Sequence, residues 1–318
     1  MRTRAAMAAQ MIAAMLAAVS CAAAETPEAP PPEPVREARV AERAPRAAKL
    51  PDPAVDPVMF KLMREARKAF AALDVSGYRV IVEGTQARAR SVAERTVEPV
   101  AERLARQYFD KSPRAGIRLI LFTSNATYRK GAAALTGEKP DTPFGFYSGE
   151  LSAVIMNLST GGGTLVHEMV HTFTETDFPA MPAWFNEGLA SLYEQCRFEP
   201  GRLVGLTNWR LPALQELLRA DVRTGRAGGL LARVVATSTD EFYGARSGLN
   251  YAAARYLCYD LQQRGLLVRY YREFRRDCGK DPTGRKTLER ILGATLDAYE
   301  PGWRSRTLAL RFPERGVH

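Results

Sequence analysis

Two of the chain's three histidines fall within the eight residues TLVHEMVH (164–171), and a glutamate directly follows the first of them. On a helix, residues four apart are turned by about 40° and stand one turn apart on the same face, so His167 and His171 can offer two imidazoles to one ion. Glu168 lies about 100° round from His167, close enough to hold a water on that ion without binding it. The ordinary alternative is an amphipathic helix that happens to carry histidines.

H-E-x-x-H is the spacing by which zinc peptidases present two nitrogens and a general base. It arises by accident in about one chain per hundred of this length, and less often where histidine is scarce. A catalytic zinc also needs a third protein ligand and an open fourth position. The segment PAWFNEGLASLYE (182–194) supplies Glu187, with fifteen residues between it and His171, near the start of a second helix. Pro179 and Pro182 predict that one helix ends and the next begins between them, a turn that can carry Glu187 back to the histidines. Otherwise Glu187 is a polar residue near a helix start.

H-E-x-x-H followed by N-E-G-x-A on a second helix resembles the gluzincin metallopeptidases, the thermolysin-like group often called peptidase MA-like. The phrase AWFNEGLASLYE is very similar to the third-ligand segment of its shorter bacterial members. The resemblance covers residues 164–194 well and 117–260 more loosely. It implies one zinc ion (Zn2+) per chain on His167, His171 and Glu187, with Glu168 as general base toward a water on that ion. The ligand spacing is shorter than in thermolysin. Ser191 stands four past the ligand glutamate, where thermolysin has an acidic residue, which leaves Asp177 and Glu194 as candidate partners for a ligand histidine.

The same resemblance places a tyrosine-bearing helix after the third ligand. SGLNYAAARYL (247–257) fits it and makes Tyr251 the expected oxyanion donor, with Tyr243 second, although Tyr251, Ala254 and Leu257 also suit one buried helix face. Gluzincins keep, just before the motif helix, an edge strand that receives a peptide by backbone pairing. Ala153, Val154, Ile155, Met156 and Asn157 are therefore expected to bind substrate main chain, unless they form an ordinary edge strand. Gly161 to Gly163 lack the lysine and spacing of a phosphate loop, and suit a sharp turn into the helix.

Other elements must hold these residues. Met59, Leu62, Met63, Ala66, Phe70 and Leu73 repeat at helical spacing, and YRVIVEG (78–84) reads as a strand. Residues 87–109 return to helical spacing, with Pro99 expected to kink or split the element. IRLILFTS (117–124) reads as a buried strand, Asn125 to Leu135 as a short helix, and FGFYSG with LSAVIMNLS as a hairpin. Beyond the motif every segment shows helical spacing and nothing alternates. The expectation is an α+β, thermolysin-like zincin: a mixed α/β lobe over 58–161, an all-helical lobe over 162–318, and the active-site cleft between them.

The 318 residues, nearly half hydrophobic, can bury one large core or two modest ones. A basic start, MRTR, leads into a short apolar run that reads as a signal peptide over 1–24, too short to span a membrane. Cys21 follows a loose lipobox, so export is expected either as a membrane-anchored lipoprotein or after cleavage ahead of Glu25. Residues 25–57 hold nine of the twenty prolines and read as a disordered tether. The net charge is +10, yet Arg and Lys are interleaved with Asp and Glu, which argues against nucleic acid and for a peptide or protein substrate. Weak attraction to anionic envelope surfaces fits as well.

Cys196, Cys258 and Cys278 are an odd set in an exported chain. Straight helices around Gly265 would leave Cys258 and Cys278 about 9 Å apart in height, too far for a bridge, so Cys196 is the candidate partner for either, and no bridge is slightly favoured over any one bridge. The function expected is zinc-dependent peptide hydrolysis in the cell envelope. The alternative is a noncatalytic envelope protein whose zincin fold carries a structural zinc or binds peptide, in which Glu168 would have no necessary role.

Overall fold

The computed structural model describes residues 56–114, 116–225 and 228–312. The expected signal peptide, Cys21, nearly all of the tether and His318 lie outside the described residues. Helix α1 (Pro57–Ala66) opens the fold, with the Asp56 side chain accepting from Met59 N at 2.9 Å and proline at its first position.

The helical spacing read through Leu73 stops short. Arg67 caps α1 in the left-handed conformation, and Phe70 and Leu73 lie on strand β1 (Phe70–Val75), paired antiparallel with β2 (Tyr78–Glu83). Ser76 and Gly77, both at positive φ, make the two-residue turn that suits the twist of such a hairpin. Local spacing could not register that turn. The helix after β2 is split as expected near Pro99: α2 (Gln86–Val92) runs through one π-type turn, Ala93–Val97, into α3 (Glu98–Gln107).

Strand β3 (Ile117–Phe122), helix α4 (Asn125–Thr136), and the hairpin β4 (Gly145–Ser148) and β5 (Ala153–Asn157) complete the first half. The sheet order is β1-β2-β3-β5-β4, with β2, β3 and β5 parallel and the outer strands antiparallel. Alternation sorts the side chains. Ile81, Ile120, Ala153 and Ile155 face α1 and α4, while Val80, Leu119, Leu121, Val154 and Met156 join the larger core on the opposite face.

The motif helix α5 (Gly163–Asp177) belongs to that larger core and is buried on most sides. Tyr78 from the sheet meets Thr172 on it at 2.5 Å. Its far end is tied down by Asp177, which accepts from Tyr271 Oη at 2.7 Å and from Lys111 N at 3.2 Å. Helix α6 (Ala183–Leu192) follows across the two prolines. Next comes a hairpin, β6 (Cys196–Glu199) and β7 (Arg202–Gly205), so the second half is not all-helical. Each strand is four residues long, too short for alternation to show, and the turn at Gly201 is its main local signal.

Helices α7 (Leu211–Arg223), α8 (Leu230–Ala236), α9 (Thr239–Phe242), α10 (Ser247–Gln263), α11 (Leu267–Asp277), α12 (Arg285–Leu292) and α13 (Leu296–Ala309) complete the chain. The α10–α11 hairpin turns at Gly265, as its sequence predicts. Helices α6 and α10 touch backbone to backbone: a Cβ on Gly188 would stand 2.9 Å from Ala254 O and 3.0 Å from Cys258 Sγ. All three described cysteines are free thiols.

Candidate metal centre

His167 and His171 project from one face of α5 toward α6, and Glu187 returns from the first turns of α6 to meet them. The two Nε2 atoms lie 3.0 Å apart, and Glu187 Oε2 stands 3.4 Å from the first and 3.6 Å from the second. Three donors about 2.0 Å from one ion at tetrahedral angles stand about 3.3 Å from each other, so the triangle has the size of one face of such a shell. The structure brings together the three residues that the H-E-x-x-H spacing and the two-proline turn select.

The group is incomplete without a cation or shared protons. Glu187 is wholly buried and its Oε2 has no hydrogen-bond partner among the described residues, while its Oε1 accepts from Tyr243 Oη at 2.8 Å. That bond occupies one carboxylate oxygen and leaves the other to act as a single donor. Two imidazole nitrogens facing each other at 3.0 Å repel unless a proton or an ion lies between them. Burial opposes charge on His167, but Glu187 and Glu194 outweigh it and lift its pKa to about 10. The balance on His171 also runs upward against burial, through Glu187. Glu187 itself is held down by the two histidines despite its burial. These shifts describe a negatively biased pocket that favours positive charge.

Each histidine is oriented from behind. His167 Nδ1 lies 3.2 Å from Glu194 Oε1, off the line of a straight hydrogen bond, and Arg210 grips Glu194 through Nη1 at 2.6 Å and Nη2 at 3.2 Å. Asn208 adds a bond to Glu194 at 3.2 Å. His171 Nδ1 lies 3.1 Å from Asn186 Oδ1, which also accepts from Thr174 Oγ1 at 2.8 Å. Both rings therefore turn Nε2 toward the shared point. Of the two partners expected for a histidine, Glu194 takes the position. Asp177 does not, because Tyr271 and Arg275 draw it to α11 at the far end of the motif helix.

Glu168 is 8 % exposed and has no hydrogen-bond partner among the described residues. Tyr243 and Tyr251 both approach Glu187 from the helical side, their rings 6.3 Å apart, and Tyr243 makes the hydrogen bond. For each hydroxyl, burial and then Glu187 raise the pKa, so both remain protonated donors. Tyr243 is positioned through α9, whose start carries a reciprocal Ser238–Glu241 cap and whose end is held by Asn250 Nδ2 bonding Glu241 O and Phe242 O at 3.2 and 3.0 Å.

The edge-strand expectation needs correction. Ala153–Asn157 pairs with β3 on one side and β4 on the other and is buried throughout, so its main chain is already satisfied. The outer strand is Gly145–Ser148. Asn157 N donates to Phe144 O at 2.8 Å, and by antiparallel alternation the backbone groups of Gly145 and Tyr147 point away from β5. The continuous apolar run AVIM suits a strand buried on both faces but does not fix its place in the sheet.

Thr174, Asn208 and Arg210 carry no sequence signal that sets them apart from other polar helix and loop residues, and Asn186 stands in the N-E-G-x-A signature without a role attached to it. Gly163 was assigned only to the turn. It also allows contact, since a Cβ there would come 2.0 Å from Glu194 O. No protein-family model matches the chain, and no curated protein matches it.

Proposed function

We propose that this chain is a zinc-dependent peptide hydrolase of the gluzincin kind, working in the cell envelope after export. One observation carries the reading: His167, His171 and Glu187 bring three donor atoms to one point, the outer polar atoms of His171 and Glu187 held by Asn186 and Tyr243, while the carboxylate of Glu168 on the same helix is unbonded among the described residues. Nitrogen and carboxylate donors at tetrahedral separation suit zinc. Export rests on the leader sequence alone.

A zinc ion bound by His167, His171 and Glu187 would polarise a scissile carbonyl and make a water acidic near neutral pH. Glu168 would take a proton from the attacking water and later deliver it to the leaving amine, a role for which a carboxylate with no internal donor is free. Tyr251, kept protonated by burial and by Glu187, can direct its hydroxyl at the developing oxyanion, while the single O–H of Tyr243 is given to Glu187. The open side of β4, at Gly145 and Tyr147, is where an extended peptide can add its main chain. A purely structural ion would leave the buried, unbonded Glu168 without a reason.

The test joins metal analysis to a peptide-library digest, with and without chelator. About one zinc per chain and chelator-sensitive cleavage are expected. His171→Ala should lose most of the zinc, and Glu168→Gln should keep it while cleavage falls by about a thousandfold or more. Parent-rate cleavage by Glu168→Gln would sink the mechanism.

A further inference from the structure

A cavity of about 340 Å³ lies where the β6–β7 hairpin meets the end of α3 and the α10–α11 turn, and no residue of the candidate centre lines it. Tyr108, Val204, Leu267 and Val268 give it apolar walls, and Arg197 and Arg202, both more than half exposed, stand at its rim. Its bonded link to the centre runs through Gln107 Nε2, 3.3 Å from Tyr193 Oη, and Tyr193 is the residue before Glu194. One wall is a strand edge. Leu206 N donates to Gln195 O at 2.8 Å, so by antiparallel alternation Leu203 and Gly205 turn their main-chain groups away from β6. Glutamine amides cover most of that edge. Gln262 takes both groups of Gly205, accepting from N at 2.8 Å and donating to O at 2.9 Å, and Gln107 Oε1 accepts from Leu203 N at 3.0 Å. Leu203 O, on the cavity wall, has no partner among the described residues.

The rim carries an excess of positive charge. Arg197, Glu199 and Arg202 share one face of the hairpin. Glu199 Oε1 accepts from Nε and Nη2 of Arg197 at 2.9 and 2.7 Å, and its Oε2 from the same atoms of Arg202 at 2.8 and 2.6 Å. One carboxylate therefore fixes two guanidiniums, leaves one positive charge over, and leaves both Nη1 groups without a partner among the described residues. Arg272, whose Nη2 donates to Gln107 O at 3.3 Å, adds to the excess.

We propose that this cavity binds the free C-terminal residue of a peptide whose last side chain is apolar. The carboxylate meets Nη1 of Arg197 and Arg202, the last N–H donates to Leu203 O, and the side chain enters between Val204, Leu267 and Val268. Within one residue the N–H and the carboxylate lie about 3 Å apart, and Leu203 is the chain neighbour of Arg202, so a single terminal residue can reach both. Guanidiniums already fixed by Glu199 lose little freedom when they bind. A C-terminal amide lacks the charge, and a fatty acid lacks the N–H. Such a site needs neither metal nor cleavage. If the centre cuts peptides, each cut makes a new C-terminal carboxylate, the group this cavity takes.

Calorimetric titration of the purified protein with the acetylated tetrapeptide Gly-Ser-Ala-Leu, before and after chelator, tests this. The free acid should bind, and the C-terminal amide of the same peptide should bind about tenfold more weakly, because the charge-assisted bonds to the guanidiniums are lost. Chelator should leave both affinities unchanged, which separates this cavity from the candidate metal centre. The double variant Arg197→Gln, Arg202→Gln, at two exposed positions, should weaken the acid about tenfold and leave the amide unchanged. Val268→Phe fills the cavity and should weaken the acid by a similar factor while both guanidiniums remain. Equal affinity for acid and amide, no binding up to millimolar peptide, loss of binding with chelator, or parent affinity in either variant overturns the proposal. Octanoate binding as tightly as the peptide acid also overturns it, since octanoate brings a carboxylate and an apolar tail without an N–H.

Discussion

The two histidines of the motif share a helix face yet are supported by opposite chemistry. Behind His167 stands a charged assembly, Glu194 gripped by Arg210 and Asn208, all nearly or fully buried. Behind His171 stands a neutral one, the Asn186 amide with the Thr174 hydroxyl. Burial costs the charged side far more to build, because each ion must be compensated in full. In return, Glu194 is held ionised, its pKa lowered against burial by Arg210 and His167, and its charge stands 3.2 Å behind Nδ1 while Nε2 is turned to the shared point. The amide on the other side aligns its ring without adding charge. His167 is thus anchored through an assembly that fails as a unit, and His171 through one that can lose a member.

The largest effect expected from breaking this contrast is on folding. Glu194→Ala strands the buried Arg210 and should cost about 3–5 kcal/mol, whereas Asn186→Ala, removing neutral bonds at a ring that keeps some contact with solvent, should cost about 1 kcal/mol. Urea unfolding of the metal-free proteins measures both, and similar losses would erase the distinction. Next in size is metal affinity. Glu194→Gln should weaken zinc binding by about 10- to 100-fold in chelator competition, against less than about tenfold for Asn186→Ala.

Acidity sharpens the same contrast. The raised folded pKa of His167, about 10 against 6.5 for the free side chain, means that the metal-free fold favours the proton. That stabilisation is fully present below about pH 6.5 and is lost as pH rises through about 10. Zinc must displace the proton, so its apparent affinity should rise across the same window, by up to about tenfold per pH unit. Stability of the metal-free protein and affinity for zinc should therefore run in opposite directions with pH, and Glu194→Gln should flatten both trends. Parallel trends would contradict the proton's placement. The smallest substitution, Gly163→Ala, adds one methyl that pushes against Glu194 O and should cost about 1–3 kcal/mol by overpacking, measurable as a lowered urea midpoint.

What could be read beforehand follows from the range of the forces involved. His167, His171 and Glu168 are fixed by helical periodicity, and Glu187 by two prolines and a short turn, so local sequence suffices. Strand β3 and the α10–α11 hairpin are equally local. The rank of β5 within the sheet is not, since it depends on β4 folding back outside it, and an apolar pentapeptide looks much the same to a reader wherever it ends up. Arg210 is beyond local reading for a similar reason. Sixteen positions separate it from Glu194, a hairpin intervenes, and nothing in TNWRLP marks its arginine as one that will be buried.

Gly188 gives the molecule a further property. With no side chain between them, α6 and α10 meet backbone to backbone at the turn that follows Glu187, and neither can slide without opening the other. Backbone amides of α6 should therefore exchange hydrogen for deuterium only when the whole domain unfolds. Those of β4, at the sheet margin, should exchange through brief local openings. A chain that loosens first at the margin where a peptide would enter, and last where Glu187 is seated, can admit and release long partners many times over without the three donors ever parting.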